Sequence, residues 1–190
     1  MSEPSVVRVL GFAGSLRAAS FNRALLAAAK AVAPPTMDLT VFDIAEVPLY
    51  NADVEAAGEP AAVQAFKEAI RAADGVLIVT PEYNHGVPGV TKNAVDWASR
   101  PFATAALRNK PAAVIGTSTG MFGAVWAQAE LRKSLAAAGA RVIDRELPVA
   151  DAESAFAADG SLAEHDQTLA LGEILAELLA EARPREPANA

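Results

Sequence analysis

The chain has 190 residues, with 16 Lys and Arg against 23 Asp and Glu for a formal net charge of −7, and no cysteine. That length buries one substantial core without requiring a second, and the acidic balance argues against a general nucleic-acid surface. The missing thiol removes disulfides, cysteine nucleophiles, iron–sulfur ligation and cysteine-based zinc sites, and two histidines, His85 and His165, make a histidine-rich metal centre a poor reading; carboxylate-bound Mg²⁺ stays open.

The composition is 52% hydrophobic, much of it alanine spread through helical stretches, and no apolar run approaches a bilayer span. The first residues lack a basic region followed by an apolar one, so no secretory signal is visible and the expectation is a soluble, cytoplasmic protein with no membrane partner. Residues 1–183 read as one domain and 184–190 as a loose, proline-containing tail.

Residues 6–10, rich in β-branched side chains, predict a buried strand, and Phe21, Leu25, Ala29 and Val32 recur at helical spacing behind it. Between them, residues 11–22 join strand to helix through small, hydrogen-bonding residues. The first N–H groups of a helix have no partners within it and carry partial positive charge, so this junction suits a phosphate. Gly11 and Gly14 let the backbone approach a ligand. Ser15, Ser20 and Asn22 can donate to phosphate oxygens, and Arg17 adds a charge-assisted contact. At about 4 Å and an effective dielectric near 20, one charge pair gains roughly 4 kcal/mol before desolvation, enough to outweigh screened repulsion from the acidic chain. The same residues also suit a plain helix cap beside a solvated arginine. Neither G-x-G-x-x-G after this strand nor G-x-x-x-x-G-K-[ST] anywhere is present.

Pro34 and Pro35 end the helix, and residues 39–44 predict a second strand. Residues 48–59 read as an irregular connection able to overhang a site. A helix follows over 60–73, with Val63, Phe66 and Ile70 inward, and then the continuous apolar run 75–80, a central parallel strand. It stops at Pro81. Pro81, Glu82, Tyr83 and Asn84 therefore leave its carboxyl end, where open α/β sheets bind ligands. A helix is predicted over 88–99, with Val90, Ala94 and Trp97 inside. A fourth strand over 111–117 leads into the small-residue loop containing Ser118, Gly120 and Gly123, then a helix to about 138 with Ala127, Leu131 and Leu135 inward. Gly139 ends it. A fifth strand at 140–144, a polar loop at 150–161 and a last helix over 164–182 complete the series. Strands alternating with helices predict a three-layer α/β sandwich, flavodoxin-like, with a five-stranded parallel sheet in the order 2-1-3-4-5 and its crevice between strands one and three.

Gly14-Ser-Leu-Arg-x-x-Ser-x-Asn22, Pro81-Glu-Tyr-Asn84 with Pro88 and Lys92-Asn-Ala-x-Asp-Trp97, and Ser118-x-Gly-x-x-Gly123 together resemble the NADPH-dependent FMN reductase family, which includes quinone, chromate and azo-dye reductases. The resemblance implies a homodimer or homotetramer that holds FMN and passes electrons from NADPH or NADH to a small-molecule acceptor by a ping-pong mechanism. It implies that Ser15, Arg17, Ser20 and Asn22 hold the FMN phosphate, that Pro81, Glu82, Tyr83 and Asn84 line the ring, and that Ser118 and Gly120 complete the ring pocket. Backbone N–H groups of the Glu82 and Gly120 loops would stabilise charge on the reduced ring, and no side chain is needed for catalysis. The chain departs from the family's pattern at His85-Gly86 and at Thr91; the first pair bears on acceptor preference rather than on FMN. His85 reads either as a group near acceptor protonation or as a solvent-facing residue, Tyr83 either as a ring contact or as packing, and Trp97 as core. Two other readings compete: a flavodoxin-type electron carrier, and a phosphorylated receiver domain. The latter fails because Phe12 and Thr80 stand near the positions where it needs acids.

Overall fold

A computed structural model describes residues 6–183; the expected tail at 184–190 lies outside them. The elements run β1 (Val7–Ala13), α1 (Phe21–Ala31), β2 (Met37–Val41), α2 (Ala52–Ala57), α3 (Ala61–Ala72), β3 (Gly75–Thr80), α4 (Gly89–Ala98), β4 (Pro111–Thr117), α5 (Val125–Ala137), β5 (Arg141–Val142), β6 (Pro148–Val149) and α6 (His165–Ala182). All the strand pairings are parallel, in the order β2-β1-β3-β4-β5, with β6 also on β4.

β3 and β4 are buried along their whole lengths, which is why they read as unbroken apolar runs and not as alternating ones. Their side chains still alternate between two cores. Leu77, Val79, Ala113 and Ile115 meet Leu25 of α1 and Ile174, Leu175 and Leu178 of α6. Val76, Ile78, Ala112 and Val114 meet Phe66 and Ile70 of α3, Trp97 of α4 and Leu131 of α5. Helices cover both faces of the central strands β3 and β4, and the loops leaving the carboxyl ends of the sheet form one rim.

Two expectations about strands are corrected. β1 runs on through Gly11, Phe12 and Ala13, so Gly11 belongs to the sheet and not to a ligand loop. A Cβ there would lie 2.7 Å from Leu26 Cδ1 and 3.2 Å from Leu39 Cδ1, so its missing side chain lets α1 and β2 close in. The fifth strand is broken into β5, on the start of β4, and β6, on its end, which gives six strands where five are expected. Between them the Leu147 carbonyl accepts from Gly116 N–H of β4 at 3.2 Å, and the buried amide of Gln128 also serves Leu147, accepting from its N–H at 3.0 Å and donating to its carbonyl at 3.2 Å. The detour also carries Arg145, which pairs with Glu173 and Glu177 on α6.

The 48–59 connection is not irregular throughout. It contains α2, whose six residues are all outside the core and so present no apolar period to read. Asn51 caps it, accepting from Asp53 N–H at 2.8 Å. The segment is fastened to α4: the Pro48 carbonyl accepts from Asn93 Nδ2 and from Trp97 Nε1, both at 2.8 Å, and Tyr50 N–H donates to Asn93 Oδ1. Its far end is fixed by the ion pair of buried Lys67 with Glu59. Trp97 is fully buried, as expected of a core residue.

Gly116 in β4 sits where a Cβ would meet Thr80 O at 2.5 Å and Gln128 Nε2 at 3.2 Å. Overpacking of this kind costs about 1–3 kcal/mol. Gly116→Ala is expected to lower the unfolding free energy read from urea titration by that amount, and an unchanged midpoint would show that the strand spacing is not under this constraint.

Candidate functional site

Three loops at the carboxyl rim converge on one cleft. The loop into α1 contributes Ser15, Arg17, Ser20, Phe21 and Asn22; the loop after β3 contributes Pro81, Glu82 and Tyr83; and the end of β4 contributes Thr117, Ser118 and Thr119. Eight of the ten sequence-derived site residues are thus brought together, and Asn84 and Gly120 stand outside the lining. Asn84 and His85 have φ of 52° and 58°, and Tyr83 and Gly86 exchange backbone hydrogen bonds at 3.1 and 3.2 Å across them. This is a two-residue hairpin of the type that needs positive φ at both centres, a geometry asparagine tolerates well. Gly120 is a turn residue whose carbonyl receives the Gly123 and Asp151 N–H groups at 3.4 Å.

The first loop gathers hydrogen-bond donors at the start of α1. Ser20 caps α1, accepting from Arg23 N–H at 3.4 Å, and the first turn of α1 holds no acidic residue. Ser15 is only 6% exposed, yet its hydroxyl has no partner among the described residues. The backbone N–H groups of Ser15, Arg17, Glu82 and Thr119 likewise donate to no acceptor among the described residues. Arg17 donates from Nη2 to Ala19 O at 2.7 Å and lies 5.8 Å from the Phe21 ring centroid, so its guanidinium is held by its own loop with no carboxylate paired to it. Gly14 serves a different purpose from the one its sequence position implies. A Cβ there would fall 2.0 Å from Thr91 Oγ1, and that hydroxyl donates to Gly14 O at 3.2 Å, so the glycine seats the loop on α4. Asn22 is buried and bound at both ends of its amide by one residue: Nδ2 donates to Thr117 O at 3.0 Å and Oδ1 accepts from Thr117 N–H at 3.2 Å.

Glu82 is the one carboxylate in the lining, and both its oxygens are occupied. Oε2 accepts from Ala127 N–H at 3.0 Å, and Oε1 lies 3.4 Å from His85 Nδ1. α5 begins at Ala124 with a left-handed backbone and no capping side chain of its own, so Glu82 caps it from another loop and places negative charge at its positive end. Gln128, fully buried on α5, donates to Gly123 O at 3.1 Å as well as serving Leu147. Gly123, with φ +54°, approaches Pro148 and Val149 too closely for any Cβ. Tyr83 in the cleft lining is exposed, as are Met121, Phe122 and Trp126 in and just after the loop that follows β4, Phe122 and His85 each meeting Trp126 edge-on at 4.8 and 4.5 Å. His85 is thus at once solvent-facing and joined to Glu82 and Trp126. Sequence reasoning missed Gln128 and Trp126, whose helical spacing carries no chemical signature.

The family model for NADPH-dependent FMN reductases matches residues 7–154. The chain belongs to the NADPH-dependent FMN reductase family. It is 46% identical over 157 residues, 82% of this chain and 84% of the relative, to an NAD(P)H-dependent FMN reductase of Pseudomonas aeruginosa. It is 42% identical over 154 residues, 80% and 84% of the two chains, to a 2-hydroxy-1,4-benzoquinone reductase of a Burkholderia species. The solved flavoenzyme NAD(P)H:(acceptor) oxidoreductase of Paracoccus denitrificans superposes with a TM-score of 0.82 at 37% identity, over 93% of this chain and 97% of that one. As a member of the family the chain is an oxidoreductase working with FMN and a reduced nicotinamide dinucleotide. With a flavodoxin from the domain Archaea it shares the fold, at 9% identity and a TM-score of 0.59, so the carrier reading rests on fold alone. Among the described residues no helix is long and apolar enough to cross a membrane.

The cap and the amide make separable predictions. Glu82→Ala is expected to cost about 1 kcal/mol of stability, with Glu82→Gln restoring most of it because an acceptor remains. Gln128→Leu leaves buried backbone groups unpaired and is expected to cost about 3 kcal/mol. Equal urea midpoints for the native chain and Glu82→Ala would remove the capping role.

Proposed function

We propose that the three-loop cleft holds FMN with its phosphate on the first loop, and that the chain reduces quinones at the expense of NADPH or NADH. The observation that carries this reading is the set of spare donors around one hollow: the Ser15 hydroxyl, the N–H groups without an acceptor among the described residues, and the remaining N–H groups of Arg17, whose guanidinium has no carboxylate partner. A phosphate satisfies them together, and the first turn of α1 offers no acid to repel it. Ser15, Arg17 and Ser20 would hold the phosphate. Asn22, committed to Thr117, would hold the loop rather than the ligand.

When bound, FMN supplies two-electron transfer between the reduced nicotinamide and the acceptor. The protein's part is placement. Pro81 and Tyr83 would flank the ring on one side, Ser118 and Thr119 on another, and the N–H groups of Glu82 and Thr119 are donors that could stabilise negative charge on it. Glu82 keeps its own charge away by spending it on α5 and His85. Nicotinamide and acceptor would use the same open mouth in turn, which is ping-pong order, and no side chain need exchange a proton. Quinones lead the acceptor list because the Burkholderia relative and an Escherichia coli relative, 43% identical over 141 residues, bear quinone reductase names. Chromate, azo compounds and free flavin belong in the same assay. The exposed Met121, Phe122 and Trp126 support self-association as a homodimer or dimer of dimers.

Purified protein is expected to show an oxidised-flavin absorbance that bleaches with NADPH or NADH and returns with quinone. Arg17→Ala is expected to weaken FMN about tenfold or more, as for loss of a charged hydrogen bond, with an unchanged urea midpoint. A preparation that takes up no FMN, or an Arg17→Ala variant with native affinity in flavin titration, would overturn the assignment.

A further inference from the structure

The opposite end of the sheet carries a second hollow, open to solvent, at the amino ends of β3, β4 and β5. Arg71, Arg108, Lys110, Arg141 and Arg183 line it, with Asp74 as the acid in its wall. Five of the chain's sixteen Lys and Arg are therefore gathered in one concavity of a molecule with net charge −7.

Helix carboxyl ends explain part of this. α3, α5 and α6 all finish on this side, and cations offset the partial negative charge there. That work has identified owners. The Lys110 ammonium donates to the carbonyls of Ala73 and, at 3.4 Å, Arg71. Arg141 donates to the carbonyls of Glu181 and Asn109 at 2.8 and 3.3 Å and pairs with the Glu181 carboxylate at 2.7 Å. Asn109 N–H serves Gly139 O at 2.7 Å. Asp74 is taken from behind by the N–H of Arg8 at 2.8 Å and by its guanidinium. Burial lowers the pKa of Lys110, a cost that an anion in the hollow would offset.

Three arginines remain. Among the described residues the guanidinium groups of Arg71, Arg108 and Arg183 make no hydrogen bond or ion pair, and Arg108 rests over the Phe102 ring at 5.7 Å. Planar forks of this kind match phosphate oxygens in pairs. From these unpaired guanidinium groups around one concavity, we infer a second anion site that takes a compact oligophosphate, two or three linked phosphates, either free or as the chain of a nucleotide. A long polyanion is disfavoured because beyond the hollow it meets a surface of excess carboxylates. β4 starts in this wall at Pro111 and ends in the flavin cleft at Thr117, about 20 Å away at strand rise, so the two sites are separate.

The test is calorimetric titration of the full chain, in excess FMN, with inorganic pyrophosphate, tripolyphosphate and ATP at low salt. One saturable site is expected, weakened at least about tenfold by the triple substitution R71Q/R108Q/R183Q, partly weakened by R108Q alone, and lost progressively as salt rises. R17A should leave it intact, which keeps the result independent of the flavin assignment. ATP binding tighter than tripolyphosphate supports a nucleotide as the source, and equal binding supports the free chain. No binding of any of the three, binding unchanged by the triple substitution or abolished by R17A, or tighter binding of a single-stranded oligonucleotide would each overturn the inference.

Discussion

One buried side-chain amide joins the two halves of the functional rim. Asn22, in the first turn of α1, receives the N–H of Thr117 and donates to its carbonyl. A buried amide left unpaired costs far more than a paired one contributes, so this exchange tolerates little play. It sets the distance between the loop that offers donors and the loop that closes the far side. The separation of 95 residues along the chain is bridged by two hydrogen bonds and by nothing local.

The third loop is held by similar means. Glu82 caps α5 from the neighbouring loop, Gln128 ties α5 to the Leu147 backbone, and Gly116 and Gly123 remove the side chains that would push these segments apart. The polar residues around the cleft thus divide by partnership. Those satisfied inside the protein, Asn22, Glu82, Thr91, Thr117 and Gln128, fix geometry; those left with spare donors, Ser15 and Arg17, face the ligand space. The cleft lining then carries one cation, Arg17, and one carboxylate, Glu82, whose oxygens are turned to α5 and His85.

How far this was legible in the sequence follows the same division. The alternation of strands and helices and the two-core sandwich are written in hydrophobic periods, the strand order follows from the flavodoxin-like fold that alternation implies, and the buried runs of β3 and β4 announce themselves. The loops that meet in the cleft are marked by small residues and by their place after strands. What a loop residue bonds to is not periodic. Nothing in the spacing of Asn22 distinguishes a phosphate donor from a clamp on Thr117, or Glu82 from a ring contact. Gly11 and Gly14 carry the same ambiguity, since the need for close backbone approach is equally met by a ligand or by a neighbouring helix. α2 escaped because it buries no residue, and β6 has no counterpart in the expected strand at 140–144 because two residues, one of them a proline, make no period to read.

The long span of the Asn22 clamp also orders events during synthesis. A nascent chain that has displayed the donor loop and α1 has not yet made Thr117, let alone the Gln128 that seats the last wall. Until those segments leave the ribosome the crevice lacks the walls that the loops after β3 and β4 supply. The cleft is therefore complete only when the chain has folded through β4, because its walls come from residues more than a hundred positions apart.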